Sequence, residues 1–264
     1  YRNAVMATSW DEVAYTSGVD RGIIERIGGV IARSECMISC WAMGLTQHRN
    51  AVATIQEITN VSLLGGHIGR PGAGLCPVRG HSNVQGDRTV GINHKPTTAF
   101  IDSLSKATGI ESPILKGADV VEAVRRMRDG DSTVFLSMGG NFLSAMSDTN
   151  ATASALTNCS LTIQISTKPN RSHLVTGKTA LILPCLGRTE LDLTVFGNQF
   201  VTVENSMGVV HTSVGTAKPA SPQLKSEPSI VSGIGLALDT KCGQSPIDWT
   251  HLVDDYDRIR ALIE

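Results

Sequence analysis

GGHIGRPGAGLCPVRGHSNVQGDRTVG, Gly65 to Gly91, is the stretch on which the reading of this chain turns. It holds eight glycines and two prolines, interleaved with arginine, histidine, asparagine and glutamine. Glycine removes the side chain and permits positive φ, so backbone amides can approach a ligand closely. A loop of this length without periodicity signals either function or disorder. Disordered linkers lack aliphatic residues, whereas Ile68, Leu75, Val78 and Val84 punctuate this one. An ordered binding loop is the expectation.

Working outward, a second patterned stretch lies upstream: WAMGLTQH, Trp41 to His48, between an apolar run and an apolar-periodic one. Within the loop, PVRGHSNVQG (Pro77 to Gly86) closely resembles the active-site loop of molybdopterin oxidoreductases of the formate dehydrogenase type. WAMGLTQH resembles the pterin-contacting strand-to-helix turn of the same family, and the two motifs occur in the family's order. GRPGAG between them also fits. The resemblance extends over most of the chain and is most specific between Ile38 and Gly91.

Composition agrees with a globular chain. Of 264 residues, 41% are apolar and 18% charged, enough for one large or two ordinary domains. The net charge of −1 creates no field that would gather nucleic acid or an anionic membrane. No apolar run reaches the roughly 20 residues needed to span a bilayer, and no signal-peptide pattern opens the chain. A first residue of Tyr1 rather than Met is what a fragment or processed piece would have. Cys36, Cys40, Cys76, Cys159, Cys185 and Cys242 form no CxxC pair, so neither a zinc ribbon nor a ferredoxin-like cluster is indicated. Cys36 and Cys40 share parity on an expected strand and read as a buried thiol pair, against the alternative of a metal site. Scattered free cysteines suit a reducing, cytoplasmic setting. The sequons at Asn60, Asn150, Asn158 and Asn170 read as chance.

The periodicity predicts an irregular start over 1–18, then a helix capped by Asp20 and running to Arg33. A strand over Met37–Ala42 leads through the Met43–Gln47 turn into a helix from His48 to Leu64, stopped by Gly65 and Gly66. After the glycine loop come a helix over Thr97–Ala107 and another to Asp129 capped by Asp119, with Glu122 three residues on. The strand Ser132–Ser137, a helix over Ala151–Leu156 and the strands Leu161–Ser166 and Ala180–Pro184 follow. Phe200–Glu204 reads as a strand, 212–229 as a surface excursion, and Ser229–Leu238 and Asp255–Ile263 as short helices. Alternating strands and helices give an α/β fold with a mostly parallel sheet. The family resemblance sharpens this to two Rossmann-like, doubly wound parallel-sheet half-domains. Residues 1–82 would be part of one pterin-binding domain, 83–195 part of a second dinucleotide-binding domain, and 196–264 a return segment.

Arg79 is the first candidate for chemistry. Its guanidinium stays charged and offers a planar fork of donors to an oxyanion. In the resembled family the matching arginine sits beside the metal and orients the anionic substrate; the plainer alternative is an arginine bound to a nearby acid or to loop carbonyls. His81 carries an imidazole, a group able to move a proton or bond the pterin, though a loop histidine can equally be structural. Gly80, Asn83 and Gln85 would line or brace the cofactor loop. Gly44, Thr46 and Gln47 would meet a phosphate-bearing chain at the helix start, against the alternative of a plain turn. Gly139, Gly140 and Asn141 repeat that logic after a strand, and Gln164 and Ser166 close the next strand's end, where they could read a guanine or ribose edge. Two departures from the family pattern stand here: Ile165 where an acidic residue is common, and Thr179-Ala180 where an Ala-Asp pair is. Gly177-Lys178-Thr179 lacks the glycine five residues earlier that a phosphate loop requires, since Ser172 occupies that place. GxSxG, HExxH and GxGxxG patterns are absent.

The resemblance implies a bis(molybdopterin guanine dinucleotide) cofactor with molybdenum or tungsten and a small, anionic substrate. It also implies a 4Fe-4S cluster and a metal-ligating residue, neither of which this stretch carries, and an electron-transfer partner that the residues do not identify. Against an oxidoreductase stands one alternative of another class, a non-catalytic α/β nucleotide-binding or structural module.

Overall fold

The computed structural model describes all residues except 79, 94, 114–116 and 206. The chain divides into two compact units, Tyr1–Ser82 and Asn83–Glu264.

The first unit begins with three helices, α1 (Arg2–Ala7), α2 (Trp10–Ser17) and α3 (Arg21–Arg33). The first two replace the irregular start expected from sequence. The cause of α2 is local: Ser9 accepts from the Glu12 amide at its start, and Gly18, with φ 68°, ends it. Asp20 caps α3 as expected, accepting from the Gly22 amide. Strand β1 (Ile38–Trp41) then leads into a four-residue helix α4 (Met43–Thr46) and the long helix α5 (Ala51–Leu64). The expected single helix from His48 thus starts three residues later and is preceded by a separate turn. Ser39 and Ser62 join β1 to α5 through a 3.1 Å hydroxyl pair. After α5 the chain turns at Gly65 and at Gly66, whose φ is 65°.

The glycine-rich stretch is not one loop. Gly74–Pro77 forms β2, parallel to β1 with Cys40 opposite Cys76 and Trp41 opposite Pro77. Val84–Thr89 forms α6, the first element of the second unit. The glycines hide both from a periodicity reading, because they break the apolar pattern without breaking the backbone's path.

In the second unit α6 is followed by α7 (Thr98–Thr108), then α8 (Val120–Asp129), which Asp119 caps by accepting from the Glu122 amide. Strand β3 (Val134–Met138) precedes α9 (Phe142–Ala145) and α10 (Thr149–Asn158). Next come β4 (Leu161–Ser166), a 3-10 turn over Arg171–Leu174 and β5 (Thr179–Pro184). These strands make a parallel sheet in the order β3-β4-β5, with Ser137 opposite Gln164 and Gln164 opposite Ile182. The core lies where α8 and α10 pack: Met127, Leu143, Ala155, Leu156 and Cys159 are buried together, with Phe135 and Phe142 against them. Gly177 permits the approach of β5 to this layer, since a Cβ there would lie 2.5 Å from the Cys159 carbonyl oxygen.

Beyond β5 the pattern becomes antiparallel. Hairpin β6–β7 (Leu193–Thr194 with Gly197–Asn198) precedes β8 (Val201–Glu204) and β9 (Val210–Ser213), which pair with each other. Helices α11 (Glu227–Cys242), α12 (Trp249–Asp254) and α13 (Tyr256–Ile263) end the chain. The mixed α/β architecture with parallel-strand sheets is the Rossmann-like arrangement expected from the sequence. Beyond β5 the additions to the expected pattern are the β6–β7 hairpin, β9 and α12. No helix among the described residues is long and apolar enough to cross a membrane.

Candidate functional site

In the first unit, parallel pairing of β1 and β2 sets their carboxyl ends side by side. The Val78 amide continues the ladder by donating to the Trp41 carbonyl at 2.7 Å. A Cβ on Gly80 would lie 3.3 Å from Met43 Sδ, so the loop after β2 rests against the first residue of α4. The two stretches singled out in the sequence therefore meet. Gly44, Thr46 and Gln47 lie on or just after α4 and are all exposed, and no atom comes within 4 Å of a Cβ position on Gly44. His81 is exposed. Arg79 lies outside the described residues.

The remaining candidates belong to the second unit. Gly139 and Gly140 follow β3 with φ of 67° and 71°, and both Cβ positions face open space. The Gly139 amide donates to the Ile165 carbonyl at 2.7 Å, which ties this turn to the end of β4. Asn141 Oδ1 accepts from Ser172 Oγ at 2.9 Å, and the same hydroxyl oxygen accepts from the Leu143 amide. Gln164, 4% exposed, donates from Nε2 to the Ser172 carbonyl at 2.9 Å. Ser166 Oγ donates to the Lys168 carbonyl. Asn141 and Gln164 thus meet at Ser172 of the 3-10 turn and Gly140 at its cap Asn170, while Gly139 and Ser166 are bonded at the end of β4 and just beyond it.

That turn was missed in the sequence. Asn170 accepts from the Ser172 amide and donates from Nδ2 to the Gly140 carbonyl at 2.7 Å. His173 Nδ1 meets the Asn170 amide at 3.0 Å, completing a capping box. The sequon Asn170-Arg171-Ser172, read as chance, was the available signal: an Asn two residues before a Ser is also how a short helix is capped.

Asn83 and Gln85 act on the same acidic partner. Asn83 Oδ1 accepts from the Glu204 amide at 2.9 Å, and Gln85 Nε2 donates to Glu204 Oε1 at 2.7 Å. Thr89 Oγ1 donates to Glu204 Oε2. Three side chains along α6 and its cap therefore hold β8, a link across more than a hundred residues that no local pattern announces.

His67 is the other residue the sequence reading passed over. Its ring is 1% exposed, and neither nitrogen has a hydrogen-bond partner among the described residues. It packs under Gly65, where a Cβ would lie 2.4 Å from His67 Cδ2. Among the described residues no group of three or more His, Cys, Asp or Glu side chains could hold a metal ion.

Gly139 and Gly140 combine left-handed φ with vacant Cβ space, so the backbone of this turn is open to close approach. Gly44 offers the same open approach in the first unit.

Comparison with known proteins follows the same line. No family model matches the chain. A protein named an uncharacterized oxidoreductase from Mycobacterium tuberculosis is 50% identical over 263 residues, covering 100% of this chain and 34% of that protein. Protein YdeP of Escherichia coli is 43% identical over 263 residues, with the same 100% and 34% coverage. Formate dehydrogenase H of Escherichia coli is 29% identical over 172 residues, covering 62% of this chain and 24% of that protein. The chain spans about a third of the length of the relatives it matches throughout. The whole of this chain is thus similar to a part of proteins named an uncharacterized oxidoreductase and YdeP, and 62% of it, more distantly, to a part of formate dehydrogenase H.

Proposed function

We propose that this chain is part of the catalytic body of an oxidoreductase dependent on bis(molybdopterin guanine dinucleotide), acting on a small anionic substrate. The observation that carries the reading is the meeting of Gly80 with Met43, which joins the PVRGHSNVQG loop to the turn of WAMGLTQH. Residues 1–82 would contribute to one pterin site and 83–195 to the second, with 196–264 returning along the latter.

Metal and pterins, when bound, would supply the two-electron change; the chain would supply binding, orientation and electrostatics. Gly44, Thr46, Gln47 and Gly80 offer donors and a close backbone approach to one phosphate-bearing chain. Gly139 and Gly140 would give the other a close backbone approach and Ser166 would lie beside it at the end of β4, with Asn141 and Gln164 shaping the turn through Ser172. Asn83 and Gln85 brace the loop's far end through Glu204. Arg79 would hold the substrate's oxyanion, since a guanidinium fork complements a carboxylate at any working pH. His81, exposed beside it in sequence, would carry a proton. A 4Fe-4S cluster would sit elsewhere in the longer protein and pass electrons to a partner.

The test uses a protein of the relatives' length that contains this segment, produced with pterin and molybdate supplied. Stoichiometric molybdenum or tungsten and extractable guanine dinucleotide are expected. With formate as first substrate and an artificial electron acceptor, Arg79→Ala should lower turnover by about 100-fold or more, the usual effect of losing a transition-state donor, at unchanged metal content. Absence of both metals would overturn the cofactor; unchanged turnover in Arg79→Ala would remove the substrate role. Dinucleotide without turnover on any small acid would favour the binding-module alternative.

A further inference from the structure

We propose that Cys40 and Cys76 form a redox-active thiol pair that closes to an intramolecular disulfide by exchange with a small-molecule disulfide. Cys40 on β1 and Cys76 on β2 are direct register partners in a parallel pair. Register partners on neighbouring strands send side chains to the same face, with Cα atoms about 4.8 Å apart. That separation falls inside the range of roughly 4.4–6.8 Å that a disulfide tolerates.

The neighbouring residue fixes which face this is. Ser39 bonds Ser62 of α5, so the alternation along β1 turns Cys40 to the side that α5 does not cover. Both thiols are free and exposed there. Desolvation, then the charge and hydrogen bonding of Cys76, push the Cys40 thiol above its usual range, as expected for sulfurs held together.

The other cysteines are placed differently. Cys36 lies before β1, with its thiol directed to the Pro71 carbonyl, so the buried Cys36–Cys40 pair expected from parity does not form. Cys159 and Cys185 are buried, and Cys242 ends α11 in the second unit.

The chemistry balances within the pair and its reagent. One protein thiolate attacks a sulfur of the small disulfide, forming a mixed disulfide and releasing one small thiol. The second protein thiolate then attacks the protein sulfur of that mixed disulfide and expels the second small thiol. The protein loses two electrons and two protons overall, and the small disulfide gains them. The bond would tie β1 to β2 just before Met43 and Val78, locking the spacing of the two strand tips. The inference rests on the first unit alone and stands apart from the proposed function.

The test incubates the full chain in graded ratios of reduced to oxidised glutathione, quenches in acid, alkylates and digests without reduction. The expected product is a peptide linking Cys40 to Cys76, two hydrogens lighter than the separate pieces. It should accumulate at more reducing ratios than glutathione adducts on Cys36 or Cys242. Closure should speed up with rising pH, because Cys40 must ionise. In Cys76→Ser the linked peptide should vanish and Cys40 should carry glutathione instead, whereas Cys242→Ser should leave the link unchanged. Separate adducts on Cys40 and Cys76 of the unaltered chain, or a Cys36–Cys40 link, would overturn the proposal. The unaltered chain decides the question even if Cys76→Ser fails to fold.

Discussion

Gly44 and Gly139 both stand just after a parallel strand, yet the backbone asks different things of them. Gly139 and Gly140 sit at φ of 67° and 71°, where an L side chain costs about 1–2 kcal/mol per residue. Gly44 carries no such constraint, and its Cβ position is open. Gly44→Ala should therefore leave the melting temperature unchanged while lowering dinucleotide content in the longer protein, whereas Gly139→Ala should lower both. Thermal denaturation beside pterin extraction separates the two. Tyr256 gives a residue-scale prediction on pH. Its hydroxyl, in a side chain only 4% exposed, donates to Asp192 and also meets Ser226 Oγ. Burial and then Asp192 raise its pKa well above that of a free phenol. A pKa raised by folding means stability that is fully present below pH about 10 and is lost as pH climbs toward the folded value. Tyr256→Phe should cost about 1–3 kcal/mol near neutrality and flatten the alkaline limb of the melting curve.

At the scale of elements, capping residues announce helices more reliably than apolar spacing does. Asp20 and Asp119 marked α3 and α8 in the sequence, because a side-chain oxygen accepting an early amide is a local event. β2 and α6 were lost in the glycine-rich stretch, since their pairing partners, β1 and β8, lie far along the chain. The seam between α11 and α12 is of the same non-local kind. A Cβ on Gly235 would lie 2.5 Å from Trp249 Cε2, and the indole is pinned by its Nε1–H to Asp239 Oδ2. Gly235→Ala should cost about 1–3 kcal/mol through overpacking and shift the tryptophan emission; unchanged stability and emission would show the ring free to move.

At the scale of the whole chain, the two units differ in what they bury. The buried apolar side chains, among the described residues, all lie in Asn83–Glu264; the fully enclosed residues of Tyr1–Ser82 are Ser62 and His67. Amide protection follows local burial and contact density. Hydrogen exchange should thus find β4 and α10 the slowest segments, and α1 to α3 exchanging far sooner; equal protection across both units would contradict this. The α/β class, the capped helices α3 and α8 and the parallel strands β3, β4 and β5 were legible in the sequence, because propensity, capping and period are properties of neighbours in the chain. Tertiary structure alone decided that Gly80 reaches Met43, that Asn83 and Gln85 converge on Glu204, that Ser172 closes the Gly139–Asn141 turn, and that Cys40 faces Cys76. Each depends on strand register or on a contact between distant segments. No local pattern encodes which residue will arrive opposite; that is settled only when the distant segments pair.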